Sequence, residues 1–204
     1  GLEHNKTDDS GTLTIQDEKN DDGSAKGSAS DTTGSLTATG GYHSAGIGGS
    51  DKQDGQVTIT GGEIIANGGS QGAGIGGGGY AAADVTIKGG NVTAKSTVSG
   101  AGIGSGGGAY NGSANTEKET TVTISGGTVT ATGSEYSAGI GGGGTSTNAA
   151  PGGGRPSGII TISGGTITAN GGKRAPGIGS GSLGEKAVKN GNTIDTLPVS
   201  GKME

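Results

Sequence analysis

The stretch "EYSAGIGGGG" at residues 135–144 carries one sizeable apolar side chain, Ile140, in a run dominated by glycine. Near copies stand at 42–50 ("YHSAGIGGS"), 70–79 ("SQGAGIGGGG"), 98–107 ("VSGAGIGSGG") and 174–182 ("RAPGIGSGS"). Repetition of this kind overrides what composition suggests, because stacked repeats bury a core that no single unit could make. Aligning the copies on Ile47, Ile75, Ile103, Ile140 and Ile178 brings further columns into line. Eleven residues earlier stand Leu36, Ile64, Val92, Val129 and Ile167, and nine residues earlier Ala38, Ala66, Ala94, Ala131 and Ala169. Eighteen residues before the last four isoleucines stand Val57, Val85, Val122 and Ile160, followed two residues on by Ile59, Ile87, Ile124 and Ile162.

Spacing is constant within a unit and variable between units. The gap from one isoleucine to the next unit's first valine or isoleucine is 10 residues after Ile47 and Ile75, 19 after Ile103 and 20 after Ile140. Insertions at fixed corners of a rigid repeat give this pattern. Each unit reads as three short strands: "VTIT", a Gly-Gly turn, "TVTA" or its equivalent, a second glycine turn, and "AGIG". Period-2 alternation sends Val, Ile and Ala to one face and Thr to the other. The expected fold is all-β, a right-handed, single-stranded parallel β-helix (a solenoid) of about five three-strand coils. At about 4.8 Å per coil the rod would be roughly 24 Å long. "AGIG" is expected to turn Ala138 and Ile140 inward and Gly139 and Gly141 outward, leaving the third face as bare backbone.

Composition alone points elsewhere. Of 204 residues 52 are glycine, and only 29 are Leu, Ile or Val, with no Phe, Trp or Cys. So low an aliphatic content is usual for disordered chains, but a disordered chain would not hold an 18-residue offset through four units. Net charge is −5, so no basic patch argues for nucleic acid. No apolar run is long enough for a membrane span, and none is expected. The start, "GLEHNKTDDS", lacks the apolar region of a signal peptide. Gly1 reads as a residue left by tag removal, and on that reading the chain is expected to be an excised segment of a longer protein. Expected boundaries are a polar leader over 1–12, β-helix repeats over 13–182, and a C-terminal cap or boundary segment over 183–204. In that last segment Val188, Ile194, Leu197 and Val199 are candidates to cover the open end.

The lines "TVTISGGTVTATGSEYSAGIGGGG" (121–144) and "IITISGGTITANGG" (159–172) resemble a glycine-rich repeat of Gram-positive bacterial surface proteins. The resemblance covers roughly residues 35–182. More distantly the lines are similar to the calcium-containing, polysaccharide-binding β-helix domains of clostridia. The resemblance implies an extracellular or cell-surface carbohydrate-binding or adhesive module, with a polysaccharide or a host or cell-wall glycan as partner. It carries no ligand motif that transfers residue by residue.

Candidate site residues therefore come from this chain. The two residues before each "AGIG" line vary most: Tyr42-His43, Ser70-Gln71, Val98-Ser99, Glu135-Tyr136 and Lys173-Arg174. Tyr80 and Tyr110 follow the glycine runs of their own units, so all four tyrosines flank the third face. Aromatic faces stack on the C–H surface of a pyranose while amides and charges bond its hydroxyls. The expected ligand-binding set is Tyr42, His43, Gln71, Tyr80, Tyr110, Glu135, Tyr136, Lys173 and Arg174. The competing account has these tyrosines merely covering exposed glycine backbone, in a structural spacer or adhesin module. Outward threonines (Thr58, Thr86, Thr123, Thr161; Thr37, Thr93, Thr130, Thr168) suggest ice binding as a third reading, although β-propensity places threonine there as well.

Asp17, Asp21, Asp22, Asp51 and Asp54 supply hard oxygen ligands of the kind calcium takes, without EF-hand spacing. No cofactor is required by this reading, and calcium is the candidate metal. No catalytic residues are assigned. The two arginines, Arg155 and Arg174, align neither with each other nor with the acids, and with His4 and His43 alone a Ser-His-Asp triad is poorly supplied. A non-enzymatic role is expected.

Overall fold

The computed structural model describes residues 1–5, 12–16, 34–108, 119–145 and 157–182. Among the described residues sixteen strands follow in chain order. Strand β1 spans Leu2–Glu3. The first coil holds β2 (Leu13–Ile15), β3 (Ser35–Thr39) and β4 (Ile47–Gly48). The second holds β5 (Gly55–Ile59), β6 (Glu63–Asn67) and β7 (Ile75–Gly76). The third holds β8 (Ala83–Ile87), β9 (Asn91–Lys95) and β10 (Ile103–Gly104). The fourth holds β11 (Thr121–Ile124), β12 (Thr128–Thr132) and β13 (Ile140–Gly141). The fifth holds β14 (Ile159–Ile162), β15 (Thr166–Asn170) and β16 (Ile178–Gly179).

Equivalent strands stack into three parallel sheets: β2-β5-β8-β11-β14, β3-β6-β9-β12-β15, and β1-β4-β7-β10-β13-β16. The chain is a parallel β-helix of five coils. Register sets like over like: Leu13, Val57, Val85, Val122 and Ile160 in one ladder, and Ile47, Ile75, Ile103, Ile140 and Ile178 in another. These ladders fill the lumen, and from Ile47 to Ile140 their isoleucines are fully buried. Each such side chain contributes about 1.5–3 kcal/mol relative to exposure, so a narrow core suffices without large aromatics. Leu2, Leu13, Leu36, Ile167 and Ile178, at the two ends, are only partly buried. Outward, Thr14, Thr58, Thr86, Thr123 and Thr161 line up in one register column, whereas Ile65 interrupts the Thr37–Thr168 column.

Two features depart from the sequence expectation. Within the stretch expected as a polar leader, Leu2 enters the isoleucine ladder beside Ile47, because the edge of β4 has unmet hydrogen-bonding groups. Leu2 N–H donates to Gly46 O at 2.9 Å and His4 N–H to Gly48 O at 2.7 Å.

The second departure is a correction: the third face is not bare. Ala45 through Gly49, Ala73 through Gly79 and Ala138 through Thr145 are buried. The alanines Ala45, Ala73, Ala101 and Ala138 are buried as expected but lie outside the lumen cluster. Each "AGIGG" line tucks inward with its isoleucine at the tip. The N–H of the line's alanine donates to the carbonyl four residues on, as in Ala45 to Gly49 (2.9 Å), Ala73 to Gly77 (3.0 Å) and Ala138 to Gly142 (3.0 Å). That bond draws the flanking loops together over the outside of the strand. The glycines after the isoleucines, Gly48, Gly76, Gly104, Gly141 and Gly179, adopt φ of +126° to +143°, open in practice to glycine alone. A Cβ at Gly104 would collide with the carbonyl of Gly141 in the next coil. Glycine is there because two backbones meet, not to expose backbone to a ligand.

Candidate functional site

The outer surface of the third wall is made by two loop stacks. One precedes the inner strands (residues 40–44, 68–72, 96–100, 133–137 and 171–175), and the other follows them. They are laced across coils: Gly79 N–H donates to His43 O (2.6 Å), Gly107 to Gln71 O (2.7 Å), Gly144 to Ser99 O (2.8 Å) and Ser182 to Tyr136 O (2.7 Å). Buried serines tighten the weave. Ser137 Oγ donates to Ser99 O at 2.7 Å and accepts from Gly144 N–H at 2.9 Å, and Ser105 Oγ accepts from Gly143 N–H at 2.9 Å. Buried groups with partners of this kind rigidify a layer.

The variable corner residues ride on this woven layer and separate into two groups. In the first, Tyr42 is 76% exposed and its ring stacks on His43, with centroids 4.2 Å apart at 24°. Tyr80, from the loop after β7, meets the same imidazole edge-on at 6.0 Å and 77°. The Nδ1 of His43 meets Asp51, whose Oδ1 lies 3.0 Å away. Gln71 stands next to them. A Cβ on Gly79 would lie 3.1 Å from the Gln71 Cβ and 3.3 Å from the His43 Cβ, and Gln71 Oε1 is buried without a hydrogen-bond partner. Tyr80 holds φ of +63°, the left-handed region, at the position that Lys52 (+61°) and Gly108 (+120°) occupy in the neighbouring coils. Its ring lies over Gly108.

The second group joins the fourth and fifth coils. The Arg174 guanidinium lies 5.7 Å from the Tyr136 ring centroid, in reach of a cation–π contact. Lys173 Nζ and Glu135 Oε1 are 3.8 Å apart, with both side chains exposed, an ion pair worth little in water.

Eight of the nine expected ligand-binding residues are thus placed. Tyr42, His43, Gln71 and Tyr80 come together at one end of the column, and Glu135, Tyr136, Lys173 and Arg174 at the other. Tyr110 lies outside the described residues. Asp17, Asp21 and Asp22 do too, as do Val188, Ile194, Leu197 and Val199. The two described acids of the calcium set face different partners. Asp51 orients His43, and the buried Asp54 accepts the Ala82 N–H of the next coil through Oδ1 at 2.8 Å. No three His, Asp or Glu residues converge on a metal position among the described residues. The Asp51–His43 pairing escaped the sequence reading because the two loops sit on opposite sides of a strand. Only their shared position above Ile47 brings them together.

Chemically, the first group offers a flat aromatic platform, backed by an imidazole and edged by a carboxylate and an amide. The second offers a smaller aromatic face beside charged hydrogen-bonding groups. A family model described as "Beta helix repeat" matches five segments of the chain, residues 34–51, 57–79, 85–107, 122–144 and 160–182. Comparison with curated proteins and with solved structures gave no match.

Proposed function

From the premise that this chain belongs to the β-helix repeat family, we propose that it is a non-catalytic, extracellular carbohydrate-binding module of a bacterial surface or secreted protein. The observation that carries the reading is the exposed Tyr42 ring, stacked on His43 with its other face turned to solvent. Stacking on an exposed aromatic ring that its neighbours already orient needs little side-chain ordering. Asp51, hydrogen-bonded to Nδ1 of the imidazole, restrains the ring that Tyr42 stacks on. The ligand would lie on the woven loops, not on the glycine strip, which is covered by the protein itself.

Affinity electrophoresis through pectin, xylan and mucin gels, with a glycan array beside it, tests the reading. Retardation by at least one polysaccharide is expected. Tyr42→Ala should weaken it roughly tenfold, equivalent to about 1.4 kcal/mol, without moving the melting temperature. No retardation on any polysaccharide and no array signal would overturn the proposal. A structural spacer or adhesin module is the second reading, favoured by the closure of the third wall. It predicts no glycan response in any variant.

A further inference from the structure

The dipeptide Asn-Gly ends a second-sheet strand twice, at Asn67-Gly68 after β6 and at Asn170-Gly171 after β15. The two pairs occupy the same column, Asn67–Lys95–Thr132–Asn170. Their local sequences, "IIANGG" and "TITANGG", are nearly the same, yet their surroundings differ in the one respect that controls reaction between an asparagine side chain and its own backbone. The Gly68 N–H donates to Lys95 O of the next coil at 2.8 Å, and Gly68 is buried. Gly133 N–H likewise donates to Asn170 O at 2.9 Å, which holds the fourth coil to the fifth. The Gly171 N–H has no such acceptor among the described residues, where β15 is the last strand of its sheet. Asn170 is exposed where Asn67 is half-buried.

We infer that Asn170-Gly171 is a site of spontaneous deamidation and isoaspartate formation, and that stacking of the third coil on the second protects Asn67-Gly68 from the same reaction. In the reaction the Gly171 amide nitrogen loses its proton to solvent base and attacks the Asn170 side-chain carbonyl carbon, forming a C–N bond. The bond to the side-chain nitrogen breaks, and ammonia leaves. Water then opens the cyclic imide at either carbonyl, giving aspartate or isoaspartate with no change of oxidation state. Glycine on the C-terminal side leaves the attacking nitrogen free of a shielding Cβ. What Asn170 has and Asn67 lacks is a nitrogen that need not first leave a hydrogen bond inside the sheet. The product places a new carboxylate three residues before Lys173, and the isoaspartate form inserts a methylene into the chain that leads to the Lys173-Arg174 corner.

The test is incubation of the full chain at mildly alkaline pH and 37 °C, followed by peptide mapping by mass spectrometry and enzymatic methylation of isoaspartate. Asn111-Gly112 and Asn190-Gly191 fall on separate peptides and are scored apart. Asn170 should convert at least roughly tenfold faster than Asn67 in the folded protein, and the two rates should become equal in denaturant. Amide hydrogen exchange provides a second reading without any variant: Gly171 should exchange freely while Gly68 is protected. Equal folded-state rates at the two asparagines, faster loss of Asn67, or a protected Gly171 amide would each overturn the inference.

Discussion

The first two walls of the rod and the third do the same job by opposite means. The first and second are single layers, with Val, Ile and Ala turned inward and threonine turned to water along strands of up to five residues. The third is a double layer. A two-residue inner strand sends one isoleucine into the lumen, and loops from both of its ends are laced over its back. A single-layer wall tolerates side chains on its outer face because nothing but solvent lies beyond. The inner strand of the double layer has backbone on every side but one. Within strands, Gly55 at the start of β5 also meets backbone of the third wall, but only the third-wall glycines combine such an approach with a positive φ, from the first coil to the fourth.

That contrast can be broken by substitution. The largest effect is expected for Gly104→Ala, which combines a φ of +132° with a Cβ driven into the Gly141 carbonyl. A loss above about 3 kcal/mol is expected from chemical denaturation. A loss below 1 kcal/mol would mean that the third wall is looser than its buried glycines indicate. Asp54→Ala comes next. Without its carboxylate the buried Ala82 N–H is left without that acceptor, and about 1–3 kcal/mol should be lost. A neutral result would show that the outer loops add nothing to the wall they cover. The smallest effect belongs to Thr86→Ala on the open first wall, under about 1 kcal/mol, since only β-propensity and ladder packing are given up. A Thr86 effect as large as that of Gly104 would erase the distinction between the walls.

The corner residues sharpen the same contrast from the functional side. Tyr42, Tyr80 and Tyr136 are expected on the rim of a bare strip, and the loops that carry them do border the third wall, in two separate groups. The strip itself is closed, because residues such as Ala45 and Gly49 hydrogen-bond to each other and bring the rims into contact. Tyr80 accordingly does part of what the covering account expected, lying over Gly108, while Tyr42 lies over the His43 ring, not over glycine, and stands exposed. The two loop stacks of the third wall therefore carry one tyrosine that covers glycine and one that does not, and only the structure separates them.

Coil number, strand positions, lumen ladders and the corners that accept insertions were all written in the sequence. They are periodic properties of side chains, and stacking identical coils converts a repeat along the chain into a ladder through space. Leu2 broke no rule but was a single side chain without a repeat around it, so its place in the ladder was illegible. The closure of the third wall was illegible for a different reason. It is made almost wholly by backbone N–H and C=O groups, meeting within a coil and between one coil and the next, and backbone groups are the same in every residue. Glycine marks where backbones can approach, but it does not say whether solvent, a ligand or the chain itself will fill the space. Tertiary structure decided that, because satisfying buried amide groups across neighbouring coils is a condition on the stack as a whole.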